Sequence, residues 1–78
     1  MDQLTSMQIF CQVVDSGSFA LAGQRLGVSA PMVSKHVAQL EKRLGARLLN
    51  RSSRHLSLTE AGQRWYAQSK QALAMLDA

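Results

Sequence analysis

The sequence predicts a mostly α-helical domain that carries a two-stranded hairpin late in the chain and a long helix after it. Three observations support this. Apolar residues recur at three- and four-residue steps in four separate segments. Two of those segments are joined by only Gly27-Val28-Ser29, which makes a tight corner rather than a loop. From Ala46 to Leu58 the helical period gives way to short alternation around the polar run Asn50-Arg51-Ser52-Ser53-Arg54.

A chain of 78 residues holds one domain. A domain this small buries roughly 60–65% of its unfolded surface, so its stability is modest and help from a partner chain is expected. With 46% apolar and 18% charged residues the composition is globular, which argues against disorder. The start, MDQLTSMQIF, has no basic leader before a long apolar core, and nowhere do about 18 apolar residues run together, so neither export nor membrane spanning is expected. The cytoplasm is the expected compartment. Cys11 is the single cysteine; it cannot form an internal disulfide and reads as a small core residue.

Each element has its own signals. Leu4, Met7, Phe10, Val13 and Val14 form a helical stripe, with Asp2 or the Thr5–Gln8 pair to cap its start and Asp15-Ser16-Gly17 to end it. Ser18 caps a second, short helix whose Phe19, Ala22 and Leu26 share a face, and Gly27 follows where a left-handed residue is wanted. Ser29 caps the third helix, with Pro31 in its first turn, where a missing N–H leaves no helical bond unmade. At about 100° per residue, Val33, Val37, Leu40 and Leu44 fall within some 60° of one another, and Pro31, Lys35, Gln39 and Lys42 lie opposite. Met32 and Ser34 flank that outer face. Two short strands then close a basic loop, a wing, and Thr59 caps the last helix with Glu60 in its first turn. The predicted fold is therefore a winged helix-turn-helix of three helices plus a two-stranded wing, residues 1–58, followed by a long linker helix, residues 59–78.

Charge is unevenly spread. The chain carries +4 in all. Lys35, Lys42, Arg43, Arg47, Arg51 and Arg54 face only Glu41 between positions 35 and 54, a net +5, and the remainder sums to −1. Such residues can form an ordinary solvated surface. Confined to twenty residues, they also fit a polyanion, because each cation set against a phosphate releases condensed counterion. An arginine at the wing tip, Arg54, could reach a narrow minor groove, where negative potential is enhanced. Arg51 either joins it or braces the wing against a carboxylate such as Glu60. On the last helix Trp65, Ala72 and Leu76 form one stripe, and Tyr66, Leu73 and Ala74 begin another. Both cannot easily face one small core, so either the helix folds wholly back or it docks on a second copy.

Phe10, Val13-Val14, Gly17-Ser18-Phe19, Ala22, Leu26-Gly27-Val28-Ser29, Val33-Ser34, Leu40-Glu41, Leu44-Gly45, Leu48-Leu49, Arg51 and Leu58-Thr59-Glu60-Ala61-Gly62 together resemble the N-terminal DNA-binding domain of the LysR-type transcriptional regulators, over essentially the whole chain. The resemblance implies a bacterial transcription factor that reads partly palindromic promoter sites in double-stranded DNA, pairs through its linker helix, and is usually tetrameric under control of a small effector. Its DNA-contacting positions fall on Ala30, Pro31, Ser34, Lys35 and His36 and on Arg54. With flanking positions, the candidate DNA-binding set is Ser29, Ala30, Pro31, Met32, Ser34, Lys35, His36, Gln39, Arg51, Ser53 and Arg54. The candidate dimerisation set is Trp65, Tyr66, Ser69, Ala72, Leu73 and Leu76.

Three departures stand out. Lys35 sits where the family commonly has Arg, replacing a bidentate grip with a flexible point charge. Gly23 stands where Ala is frequent, at up to about 1 kcal/mol of helix propensity. The family's effector-binding domain has no counterpart in these 78 residues, so a DNA-binding fragment or an unusual minimal protein is expected. Catalysis is not expected: His36 and His55 lack metal-spaced partners, and no phosphate loop or nucleophile elbow is present. No cofactor or metal is expected either. A winged helix can instead bind RNA or dock a protein, but the aromatics Phe10, Phe19, Trp65 and Tyr66 fit core or dimer positions rather than a stacking platform.

Overall fold

A computed structural model of the chain describes residues 3–52 and 55–77. In order come α1 (Gln3–Ser16), α2 (Phe19–Leu26), α3 (Ala30–Leu44), β1 (Leu49–Ser52), β2 (His55–Leu58) and α4 (Glu60–Asp77). The mostly α winged helix-turn-helix expected from the sequence is the fold observed.

Local chemistry sets the corner between α2 and α3. Ser18 Oγ accepts from Leu21 N at 3.0 Å, and Ser29 Oγ accepts from Met32 N at 3.3 Å, so both predicted caps are made. Gly27 adopts φ 76°, a left-handed conformation that any Cβ would strain. Val28 N then donates to Gly23 O at 2.9 Å and turns the chain into α3. A Cβ built on Gly23 would stand 2.6 Å from Val28 O. The propensity lost at Gly23 therefore accompanies a corner drawn in more tightly than alanine permits without a backbone shift.

The core lies where α1, α2 and α3 meet the base of the wing. Phe10, Val13, Ala22, Val33, Val37, Leu40, Leu48 and Leu49 are all at most 2% exposed. Phe19, Leu26, Leu56, Leu58 and Trp65 pack around them. Two expected core residues lie elsewhere. Leu44 is 42% exposed, because α3 overruns its neighbours and the chain reverses at Gly45 to bring Leu48 and Leu49 inward instead. Leu4 is likewise 42% exposed, and the buried side of α1 centres on Ser6, Ile9, Phe10, Cys11 and Val13. Of the caps proposed for α1, Asp2 lies outside the described residues, and Thr5 falls inside the helix rather than before it.

The strands pair antiparallel, with Leu49 opposite Leu58, Asn50 opposite Ser57, Arg51 opposite Leu56 and Ser52 opposite His55. Thr59 starts α4 as expected: Oγ1 accepts from Gly62 N at 2.9 Å and donates to Arg47 O. Thr59 N donates to Leu48 O at 3.0 Å. Gly62 is buried against that same carbonyl, 2.0 Å from where a Cβ would sit, so only glycine lets α4 leave the wing so closely. From there α4 runs antiparallel along α1: Tyr66 and Lys70 meet Asp15, while Ala72, Met75 and Leu76 lie beside Leu4 and Met7.

Candidate nucleic-acid interface

Helix α3 presents two opposed faces. Behind, Val33, Val37 and Leu40 are at most 2% exposed and fix the helix to the core. In front, Pro31, Met32, Lys35, Gln39 and Lys42 are exposed, with Ala30 and Ser34 half-buried at the edges and Ser29 exposed at the cap. Ser29 Oγ accepts an N–H of the first turn, which leaves its own O–H able to donate outward. A helix N-terminus capped in this way, bordered by a lysine and two amide- or hydroxyl-bearing side chains, suits an anionic ligand with hydrogen-bonding edges.

His36 sits differently from the other candidates. It is half-buried, and its Nδ1 is enclosed without a hydrogen-bond partner. The ring lines a cleft of about 280 Å³ with Thr5, Gln8, Ile9 and Val28, between α3 and α1. Helical phase could have shown this, since His36 lies about 60° from Val33, on the flank of the buried face.

The wing is held from behind by a residue the sequence counted only as a lone acid. Glu41 Oε2 accepts from Leu48 N at 2.7 Å and Leu49 N at 3.2 Å, tying the last turn of α3 to the start of β1. The signal lay in its position: a carboxylate at a helix C-terminus is disfavoured by the helix dipole and calls for donors of its own. Arg51 is placed on β1 opposite Leu56. Ser53 and Arg54 lie outside the described residues, as does the side chain of Arg51. Glu60, the suggested brace for Arg51, pairs with Arg64 at 2.5 Å.

The candidate dimerisation residues separate into two groups. Ser69 is fully buried within the protomer. Its Oγ has no partner of good geometry, though it lies close enough to act on the Cys11 thiol. That burial, beside Cys11 of α1, removes Ser69 from any outer surface of α4. Burial raises the pKa of Cys11, with smaller opposing effects from Lys70 and Ser69, and the side chain is a small core residue as the sequence implied. Trp65 and Tyr66 are half-buried against the core. The Trp65 Nε1 is enclosed without a partner, and the Tyr66 hydroxyl donates to Asp15 Oδ1 at 2.5 Å. Lys70 Nζ donates to the other oxygen of Asp15 at 2.7 Å. Burial pushes the Asp15 carboxyl up, but the hydrogen bonds from Lys70 and Tyr66 outweigh it and hold its pKa below the ordinary 3.8. Outward-facing apolar surface remains farther along. Met75 is 79% and Leu76 66% exposed, and with Ala72, Leu4 and Met7 they line a groove of about 490 Å³. Leu73 is half-buried and faces a separate cavity with Gln8, Cys11 and Lys70.

A rigidly backed helix with a polar, cationic front, followed by a braced hairpin, defines a winged helix-turn-helix nucleic-acid-binding module. Residues 4–63 match the family described as bacterial regulatory helix-turn-helix protein, lysR family. The chain belongs to the LysR family and folds as its DNA-binding domain.

Among curated relatives, an HTH-type transcriptional repressor of Pseudomonas aeruginosa (strain UCBPP-PA14) is 47% identical over 77 residues, 99% of this chain and 24% of that protein. The chain thus spans about a quarter of the length of the first curated relatives it matches. Among solved structures, the BenM DNA-binding domain in complex with benA site 1 DNA superposes with a TM-score of 0.93 at 32% identity, covering 97% of this chain and 85% of that one. The DNA complex of the CbnR DNA-binding domain gives a TM-score of 0.89 at 32% identity, covering 97% and 87%. These relatives are transcriptional regulators and not enzymes, and the RNA-binding or protein-docking alternative gains no support from them. Among the described residues no helix is long and apolar enough to cross a membrane.

Proposed function

We propose that two copies of this chain read the two halves of a partly palindromic promoter site, each setting the N-terminal turns of α3 into the major groove. The observation that carries this is the division of α3 into a sealed aliphatic back and an exposed front of Pro31, Lys35, Gln39 and Lys42. In that pose Ser29, Ala30, Met32 and Ser34 border the bases or the adjacent phosphates, and Lys35 supplies the charge nearest the base edges. Arg54 and Ser53 would meet the flanking minor groove, with Arg51 near them on β1, one pair before the strand's last. His36 would act from the flank, supporting α3 against α1. The BenM and CbnR domains, whose solved structures are DNA complexes, favour this placement by analogy of fold and helix order.

The copies would pair through the outer surface of α4, using Ala72, Leu73 and Leu76 together with Met75, while Trp65 and Tyr66 support the helix from within. Assembly to a tetramer, and control by a small effector, would belong to a longer protein. The cell compartment consistent with this role is the bacterial cytoplasm. Selection of bound duplexes from a random library at a stated salt concentration tests the reading. Recovery of an inverted repeat with half-sites about one helical turn apart, or a multiple of it, is expected, whereas recovery of sequences with no common half-site would refute it.

A further inference from the structure

We infer that Asp15 is a positioning residue: by holding Tyr66 and Lys70 together it sets the direction in which α4 leaves the DNA-reading head, and thereby the half-site separation a pair of heads accepts. The inference rests on the dimeric reading proposed above for the separation it predicts, but not for the latch itself. Asp15 stands one residue before the end of α1, and its two carboxylate oxygens are divided between the Tyr66 hydroxyl at 2.5 Å and the Lys70 ammonium at 2.7 Å, one turn apart on α4. Lys70 Nζ also lies 5.6 Å from the Tyr66 ring centroid, so the three groups form one cluster.

A helix axis is fixed by two points. The first is at its start, where Thr59 and Gly62 lock onto the Arg47 and Leu48 carbonyls. Between the two points α4 is held by apolar packing of Trp65 and by the burial of Ser69, and beyond them by Ala72 and Leu76 beside Leu4 and Met7, contacts that resist separation but only weakly resist sliding or swinging, because apolar burial is non-directional. The Asp15 cluster is the second point, and its hydrogen bonds are directional. Position 68 lies about 10 Å along the axis from the first anchor and Leu76 about 22 Å, so a 1 Å swing at the latch moves the exposed end of α4 by about 2 Å. That end carries the Met75 and Leu76 surface through which the second copy would be met. A shift of this size at each protomer is comparable with the spacing of one base-pair step.

The experiment compares the wild-type chain with Asp15→Ala, Asp15→Asn and, at the exposed end of the latch, Lys70→Met. Affinity is measured for a duplex carrying one selected half-site and for a series of inverted repeats whose separation changes by single base pairs. Amide hydrogen exchange is followed along α3 and α4. Expected for Asp15→Ala is single half-site affinity within about twofold of wild type, with discrimination between separations reduced by up to about tenfold, the combined effect of one hydrogen bond and one partly exposed ion pair. Lys70→Met should give a smaller reduction of the same kind. Amides of α4 beyond Trp65 should exchange faster while those of α3 do not. An unchanged separation profile, or half-site affinity falling as far as full-site affinity, overturns the positioning role. If the wild-type chain proves monomeric and indifferent to separation, the dimeric reading fails. Unaltered exchange in α4 would then overturn the latch as well, and accelerated exchange would sustain it alone.

Discussion

Replacing Glu41 by alanine tests whether the wing is held by its carboxylate. Its Oε2 accepts from Leu48 N at 2.7 Å and from Leu49 N at 3.2 Å, the first a strong charge-assisted bond and the second a weaker one. Both donors belong to residues only 1–2% exposed, so water reaches their amides poorly once the acceptor is gone. Losing an acceptor from a buried N–H costs about 1–3 kcal/mol, and weighting the second bond down gives about 2–3 kcal/mol in total. For a domain of 60–100 residues each kcal/mol lowers the melting temperature by about 4–8 °C, so Glu41→Ala should melt roughly 10–20 °C below wild type. Glu41→Gln retains one carbonyl acceptor and should lose about half as much. Thermal unfolding followed by circular dichroism reads both. If Glu41→Ala melts within about 2 °C of wild type, the clip contributes nothing and the wing is held by Leu48 and Leu49 packing alone.

Three further outcomes are expected. Gly62→Ala places a Cβ 2.0 Å from Leu48 O, and the overpacking, about 1–3 kcal/mol or more, should exceed the helix propensity of about 1 kcal/mol gained; a variant as stable as wild type would show that α4 can retreat freely. Lys35→Ala should lower preference for the selected site over scrambled duplex by about 1–3 kcal/mol if Lys35 meets a base, whereas equal weakening on both reassigns it to a phosphate. Met75→Glu combined with Leu76→Glu, at the two most exposed large apolar positions of α4, should shift sedimentation toward monomer while single half-site binding persists; a variant still dimeric at micromolar concentration would move the interface elsewhere.

What was legible in the sequence was local or periodic. Ser18, Ser29 and Gly27 announce the corner because capping and a left-handed turn depend on a few adjacent residues. Val33, Val37 and Leu40 announce the back of α3 because three or more residues in phase define a face. Periodicity does not say how far a helix extends past its neighbours, so Leu44 and Leu4 were expected inside and stand half in solvent. It also does not say which small residue lies at a helix crossing, and Ser69, expected on the dimer surface, is sealed against α1. The candidate DNA face was legible as a face, but His36 was carried into it by resemblance against its own helical phase, and its Nδ1 lies enclosed beside α1.

The two carboxylates that matter most share a signature that single-element reasoning passes over. Asp15 and Glu41 both stand in the last turn of their helices, where the dipole disfavours negative charge and favours a cation. Glu41 is moreover the one acid among six cations from Lys35 to Arg54, a segment that would attract phosphate more strongly without it. Each is met by donors from another element: the wing amides for Glu41, and Tyr66 with Lys70 for Asp15. Each stands at a joint, Glu41 between α3 and the wing and Asp15 between α1 and α4. A polyanion needs only charge to be held, whereas a particular arrangement of half-sites needs a reader whose parts do not swing. On the proposed paired reading, the acids lower raw attraction to DNA and in exchange would hold the geometry on which discrimination between sites depends.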